Sequence, residues 1–279
     1  MSGEKGLGAG GQGPGKSPPC AASGGNAMPL LASTRGVGLL GGLRTRTATQ
    51  RRDEPVAGRL VLAIDTTHEF GSLALARGAE IVEEVLLCAP SGFGHVLYPH
   101  LKRLLDRHAI ALEAIDCFAA ASGPGSFTGV RVGLACVKGL AEALGKPAVG
   151  VSNLQALATF AFGPLRAAVI DARRGEVYGA VYDWGAKAVT PEVVAKFPAW
   201  LETLPAGDLE FVSTDFTPFR NALAGTRFEK ARIATAPPAL ASAIARLAMA
   251  RLLSGSASDP AALDANYVRR SDAELFWKE

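Results

Sequence analysis

The rhythm of hydrophobic and polar positions changes at Arg59. Residues 1–57 are rich in Gly, Pro, Ser and Arg, with only short apolar runs such as Leu39-Leu40 and neither a helical nor a strand period. Such a segment has too little apolar surface to offset the entropy of ordering itself, so it is expected to be a disordered low-complexity extension outside the fold. An organellar transit peptide and a true start further along, for instance at Met28, are the other two readings of this basic leader. From Arg59 onward RLVLAID (59–65), SLALARG (72–78) and EIVEEVLL (80–87) are short apolar or alternating runs separated by DTTHEFG and a Gly-Ala turn. They predict a three-stranded antiparallel meander. In HVLYPHLKRLLDRH (95–108), Leu97, Leu101, Leu104, Leu105 and His108 recur at helical spacing, with Pro99 in the opening turn, which predicts an amphipathic helix.

CFAAAS (117–122) follows as a buried strand, SGPGSFTG (122–129) as a Gly-rich loop, and VRVGLACVKGLAEALG (130–145) as a helix stopped by Gly145 before Pro147. The order is then β-β-β-α-β-α. Pro147 to Val151 gives another strand, and Ser152 is placed to cap a helix running to about Phe160. RAAVIDA (166–172) and EVYGAVYD (176–183) flank Arg-Arg-Gly, a hairpin signal, so a second β-β pair opens after the first unit closes. Beyond it TPEVVAKFPAWLETL is expected to be helical, LEFVST (209–214) and ARIATA (231–236) to be strands, and 238–254 to be a helix with Leu240, Ile244, Leu247 and Leu252 as its apolar positions.

Charge adds one exclusion. Residues 1–57 hold seven of the 29 Lys/Arg and three of the 26 Asp/Glu, which leaves 22 basic against 23 acidic residues for 58–279. A protein that grips nucleic acid unaided is expected to carry a strongly basic face, because phosphate neutralisation supplies most of that affinity. The cysteines, Cys20, Cys88, Cys117 and Cys136, form no CxxC pair, no run approaches the ~20 apolar residues of a membrane span, and no apolar signal segment opens the chain. A cytoplasmic protein is expected.

Candidate chemistry centres on Ser122-Gly123-Pro124-Gly125-Ser126-Phe127-Thr128-Gly129, between a buried strand and a helix. Two readings stand side by side: a seat for phosphate or carboxylate at a helix N-terminus, or a tight turn with Ser126 or Thr128 capping the helix. No GK[ST] closes it as a Walker loop. Asp65-Thr66-Thr67 at the end of the first strand is an ordinary turn or, in phosphotransferases of the actin/Hsp70/sugar-kinase class, a place where metal and phosphate meet the chain. Asp65, Thr66, Gly123, Gly125 and Ser126 are therefore the candidate nucleotide or anion-binding residues. His68, His95, His100 and His108 make no HxxxH or HExxH pair, and no Ser or Cys stands in a nucleophile motif.

The motifs LAIDTT, SGPGSFTGVRVGLACVKGLAEALGKPAVGVSNLQALA and VIDARRGEVYGAVYD together resemble the TsaB family, also called YeaZ, from about Arg59 to Asp183; the terminal NYVRRSDAELFWKE is similar to the tail of many members. The resemblance implies an α/β protein of the actin/Hsp70 (ASKHA) type, with an RNase H-like lobe over 58–160 and a smaller lobe plus tail over 161–279. It implies a non-catalytic subunit beside a catalytic paralogue, TsaD, and an ATPase, TsaE, in the complex that adds a threonylcarbamoyl group to adenosine next to the anticodon. In the catalytic paralogue the strand after the Gly-loop helix leads into two metal-binding histidines four apart; Asn153 and Leu157 stand there in this chain. The resemblance assigns the helices 95–108 and 130–144 to subunit contact, with Leu97, Leu101, Gly129, Gly133, Val137 and Ala141 at the interface; self-association into a homodimer is a further expected mode of assembly. No metal or cofactor of its own is expected; ATP or ADP is placed at a shared interface, and tRNA is reached through the complex. The rivals are a small-molecule kinase of the same fold, which needs a second phosphate loop that 184–260 does not show, and a glycoprotease-like metallopeptidase, against which the missing histidine pair speaks.

Overall fold

The structure, a computed structural model, describes residues 58–269. The extension 1–57 and the last ten residues of the terminal motif lie outside them. The predicted meander is present as β1 (Leu60–Asp65), β2 (Phe70–Arg77) and β3 (Glu80–Cys88), antiparallel in that order. Helix α1 (Leu97–Arg107) then leads to β4 (Cys117–Gly123), α2 (Phe127–Leu144) and β5 (Ala148–Ser152), with β4 and β5 parallel to β1. The first sheet has the order β3-β2-β1-β4-β5. α2 begins three residues earlier than its apolar period indicates, because the Ser126 hydroxyl caps it by accepting from the Gly129 N–H, and it ends at Gly145 in the left-handed region (φ +59°).

After the short helix α3 (Asn153–Ala158), capped by Ser152, the pattern repeats. β6 (Leu165–Arg173) and β7 (Glu176–Asp183) form the expected hairpin, β8 (Val193–Lys196) adds antiparallel to β7, and β9 (Leu209–Ser213) and β10 (Arg232–Thr235) run parallel with β6. The second sheet reads β10-β9-β6-β7-β8, which is the strand order of the first sheet traced from its other edge. Two lobes of one topology, each in RNase H-like order, are the expected ASKHA arrangement. Reduction of the second lobe is largest in its helices: α4 (Phe197–Thr203) and α5 (Thr217–Arg220) have seven and four residues, against eleven and eighteen in α1 and α2, and β8 has four against nine in β3.

One element differs in kind. TPEVVAKFPAWLETL is not one helix: Val193–Lys196 is a strand, and the helix begins only at Phe197, with Pro198 in its first turn. The pairing partner β7 supplies the backbone hydrogen bonds that favour extension there, and Pro198, lacking an N–H, is tolerated only at a helix start.

The last helix, α6 (Ala241–Leu253), returns to the first lobe. Its opening amides, Leu240 and Ala241 N–H, donate to the Ser72 hydroxyl on β2 (3.2 and 3.0 Å), and Ser242 N–H donates to Glu84 on β3 (2.7 Å). Caps supplied from more than 150 residues away tie the end of the fold to its beginning. Small residues make the close approach workable: Ala241, Ala245 and Ala248 of α6 share a buried cluster with Ala63, Ala74, Ala76, Ala119 and Ala121 of the sheet. α1 and α2 cover the opposite face, packing Leu97, Leu101, Leu104, Val130, Leu134, Val137 and Ala141 on Leu62, Ile64, Leu73 and Phe118. In the second lobe, α4 and α5 bury Phe197, Trp200 and Phe219 with Phe211 of β9 on the outer face of its sheet.

Candidate functional site

Asp65, Thr66 and Thr67, where β1 ends, are each 1% exposed, and the Gly-rich loop lies over them. Asp65 Oδ1 accepts from the Thr67 N–H (2.9 Å) and the Thr67 hydroxyl (2.7 Å). The same hydroxyl accepts from Asn153 Nδ2 (2.7 Å), and the Asn153 carbonyl oxygen accepts from Gly123 N–H (3.0 Å). With its proton given to Asp65, the Thr67 hydroxyl can only accept from His68, 2.8 Å away, which places the imidazole proton on Nδ1. Asp65 Oδ2 is buried and has no hydrogen-bond partner among the described residues.

The structure thus brings Asp65, Thr66, Gly123, Gly125 and Ser126 together, but as a packed joint. Ser126 N–H donates to the Thr67 carbonyl (2.7 Å), Thr66 Oγ1 donates to the Gly129 carbonyl (2.7 Å), and Gly123 N–H is engaged by Asn153. A Cβ at Gly125 would lie 2.7 Å from the Thr67 carbonyl oxygen, and one at Gly129 would lie 1.9 Å from that of Thr66. These glycines serve backbone-to-backbone contact within the chain, so the turn with a Ser126 cap describes the loop and a cradle for phosphate does not. The tail closes it from above: Asn266 N–H donates to the Ser122 carbonyl (2.7 Å), and Tyr267 packs on Phe127 and accepts from Arg131 (2.9 Å).

Topology identifies the counterpart of the β1–β2 turn in the second lobe as the β6–β7 turn, with Asp171 at the position of Asp65. Ala172 and Arg173 follow it where Thr66 and Thr67 follow Asp65, so the two hydroxyls of the first turn are not repeated. Between the lobes Glu192 accepts from Ser152, from the Tyr182 hydroxyl (2.6 Å) and from Asn266 (2.5 Å). Burial and the adjacent Glu192 push the Tyr182 phenol far above its ordinary range, so it stays a donor. Nothing in the sequence pattern marked Thr67 and Asn153 as the hub of the joint, or Glu192 as its bridge; their signal is spatial.

The six residues expected at the partner interface face inward. Leu97, Leu101, Val137 and Ala141 are buried in the chain's own core, and Gly129 and Gly133 pack on Thr66, whose hydroxyl would lie 2.8 Å from a Cβ at Gly133. The reason is the Thr66–Thr67 turn, which demands small residues on the inward side of α2. Its outward side carries a stripe of small or apolar residues at helical spacing, Thr128, Val132, Ala135, Gly139 and Ala143, all but Val132 exposed, flanked along one edge by Arg131, Lys138 and Glu142.

Reactive groups are scarce. Burial, with Asp116 adding a smaller effect, pushes the Cys117 thiol up to about 12, and burial pushes Cys136 up to about 11, so neither is a thiolate near neutrality. Among the described residues no three His, Cys, Asp or Glu side chains are grouped to hold a metal ion, and no helix is long and apolar enough to cross a membrane.

Replacing Asn153 by Leu removes a fully buried amide, leaves Gly123 N–H without its acceptor and takes one of three hydrogen bonds from the Thr67 hydroxyl. A loss of about 2–4 kcal/mol is expected, read as a lower urea midpoint at unchanged slope; a midpoint shift worth less than about 0.5 kcal/mol would remove Asn153 from the centre of the joint.

A family model described as TsaD, tRNA N6-adenosine threonylcarbamoyltransferase, matches residues 92–252. The chain is similar to the tRNA threonylcarbamoyladenosine biosynthesis protein TsaB of Bacillus subtilis, 30% identical over 228 residues that cover 78% of this chain and 98% of that protein. TsaB of Escherichia coli is 40% identical over 126 residues, 44% of this chain and 54% of that one. Among solved structures, YeaZ from Pseudomonas aeruginosa superposes with a TM-score of 0.61 at 29% identity, covering 75% of this chain and 99% of its own.

Proposed function

The chain belongs to the TsaB family, and from that premise we propose that it serves tRNA threonylcarbamoyladenosine biosynthesis as a non-catalytic subunit that holds and activates a TsaD-like paralogue. The observation that carries the reading is what fills the place of the paralogue's histidine pair. Asn153 and Leu157 are both fully buried, and the Asn153 amide is spent on Gly123 and Thr67. An aliphatic side chain cannot ligate a metal, and an amide engaged at both ends has no lone pair directed outward. Without a metal to polarise a carboxylate or adenylate, the fold persists as a binding partner.

The surface this reading assigns to the paralogue is the small-residue stripe on the outward side of α2, with exposed Tyr98 of α1 as a further candidate contact. A second copy of the chain would use the same face in the paralogue's absence. A TsaE-like ATPase completes the assembly, and tRNA is reached through it. The Gly123, Ser126 and Gly129 amides of the loop are engaged within the chain, and the reading gives the chain no nucleotide of its own; ATP or ADP belongs at the surface shared with the paralogue.

The purified chain is expected to show neither threonylcarbamoyl transfer nor peptidase activity, assayed with labelled threonine on tRNA and with a peptide library. Turnover abolished by a chelator would overturn the reading. The double variant Asn153→His, Leu157→His is expected to remain inactive, because a ligating histidine needs a neighbour to orient its ring and this site would lose its joint instead.

A further inference from the structure

The β6–β7 hairpin turns through Arg173, Arg174 and Gly175, at φ +67°, +56° and +72°. Three successive left-handed positions favour Gly, Asn or Asp, whose side chains are absent or bond locally; a long side chain there is strained by its own Cβ. Two arginines therefore stand where conformation argues against them, and both are exposed, Arg173 with 85% of its side chain in solvent. Strain retained at an exposed tip points to something the side chains do.

The tip is fixed and basic. Asp171 accepts from the Arg173 N–H (2.8 Å) and lies 3.5 Å from its guanidinium, and Lys196 on β8 donates to the Arg174 carbonyl (2.5 Å). Arg269 pairs with Glu176 just beyond the turn and lies 5.6 Å from the Tyr178 ring. Among the described residues Arg173 pairs with Asp171 and Arg269 with Glu176, while neither Lys196 nor the Arg174 guanidinium has an ion-pair partner. This local excess arises in a region, 58–279, whose charges otherwise balance. The terminal segment links the tip to the Gly-rich loop: Asn266 N–H bonds the Ser122 carbonyl, and Arg269, at most about 10 Å further along the backbone, reaches Glu176 with its guanidinium.

We propose that the Arg173-Arg174 tip contacts the phosphodiester backbone of the tRNA held by the complex, an inference that rests on the tRNA-modification reading above. A convex, projecting pair of guanidinium groups suits a polyanion that passes over it, whereas a free nucleotide is held in a concave site. Arginine is the residue for this contact, since its planar fork bonds phosphate oxygens in pairs.

The test uses the full chain reconstituted with its paralogue and compares wild type with Arg173→Asn/Arg174→Asn and Arg173→Lys/Arg174→Lys. tRNA affinity is measured across roughly 50 to 200 mM salt, together with melting temperature and recovery of the paralogue. The Asn pair is expected to bind tRNA about tenfold more weakly, with the slope of log affinity against log salt shallower by about one to two, while paralogue binding is kept and melting is unchanged or higher, because Asn suits these dihedrals. The Lys pair is expected to keep the slope. Unchanged tRNA affinity in an intact complex would overturn the proposal and leave the accessory role standing. So would loss of tRNA binding only in step with loss of the paralogue, or loss of tripolyphosphate binding with tRNA binding intact. If the wild-type chain does not bind the paralogue at all, the accessory role fails, and this inference falls with it.

Discussion

Gly129→Ala is expected to lower the stability of the chain by about 3 kcal/mol or more, whereas Gly139→Ala, ten residues along the same helix, is expected to raise it by about 0.5–1 kcal/mol. The opposite signs follow from what each Cβ would meet. At Gly129 it would lie 1.9 Å from the Thr66 carbonyl oxygen and 3.0 Å from its carbon, both backbone atoms of a turn that the Thr66 hydroxyl and the Ser126 amide already pin to the loop. At Gly139 it would meet nothing within 4 Å, and only the gain from restricting the unfolded chain remains. For a folded region of this size the changes correspond to a fall of at least roughly 6–12 °C and a rise of about 1–4 °C in Tm. A Gly129→Ala protein that melts with wild type would show that the loop does not rest on the turn.

The second large effect concerns association. Ala135→Glu is expected to leave the isolated chain folded, within about 0.5 kcal/mol of wild type, and to weaken binding of the paralogue by at least about a hundredfold. Ala135 is exposed on the small-residue stripe of α2, one turn from Arg131 and Lys138, where a carboxylate costs little in water. Once that stripe is packed against a partner, the longer side chain no longer fits a contact made for a methyl group and its charge must be desolvated, at several kcal/mol. Ala141→Glu is the control of opposite kind. Ala141 is fully buried among Val137, Leu134 and the sheet, so a charge there unfolds the chain and abolishes binding for that reason alone.

That contrast also marks where the sequence stops being informative. Strands with alternating or continuous apolar runs, β1 to β3 and the β6–β7 hairpin, were legible because their period and turn residues are local properties; so were the Ser126 and Ser152 caps and the Gly145 stop. The sides of α2 were not. Small residues occur around most of its circumference, and only the position of Thr66 decides that Gly129 and Gly133 face inward and Ala135 and Gly139 outward. β8 was hidden for a related reason: Val193 to Lys196 is short and half-buried, and its extension comes from pairing with β7. α6 was found as a helix, but its destination was not legible, because Ser72 and Glu84, which cap it, precede it by more than 150 residues. Of the candidate site, the loop and the Asp-Thr-Thr turn were visible as separate motifs. Their union through Asn153 was visible only as the absence of a histidine, since nothing in the spacing shows one buried amide bridging Gly123 and Thr67.

The account's central claim is that this chain acts through association with a catalytic paralogue, and the most direct measurement is threonylcarbamoyl transfer to tRNA by that paralogue as the chain is titrated in. Transfer is expected to rise to a plateau at a fixed stoichiometry with wild type, to stay at the paralogue's own level with folded Ala135→Glu, and to be absent with the chain alone. Paralogue activity indifferent to the chain, or full stimulation by Ala135→Glu, would contradict it.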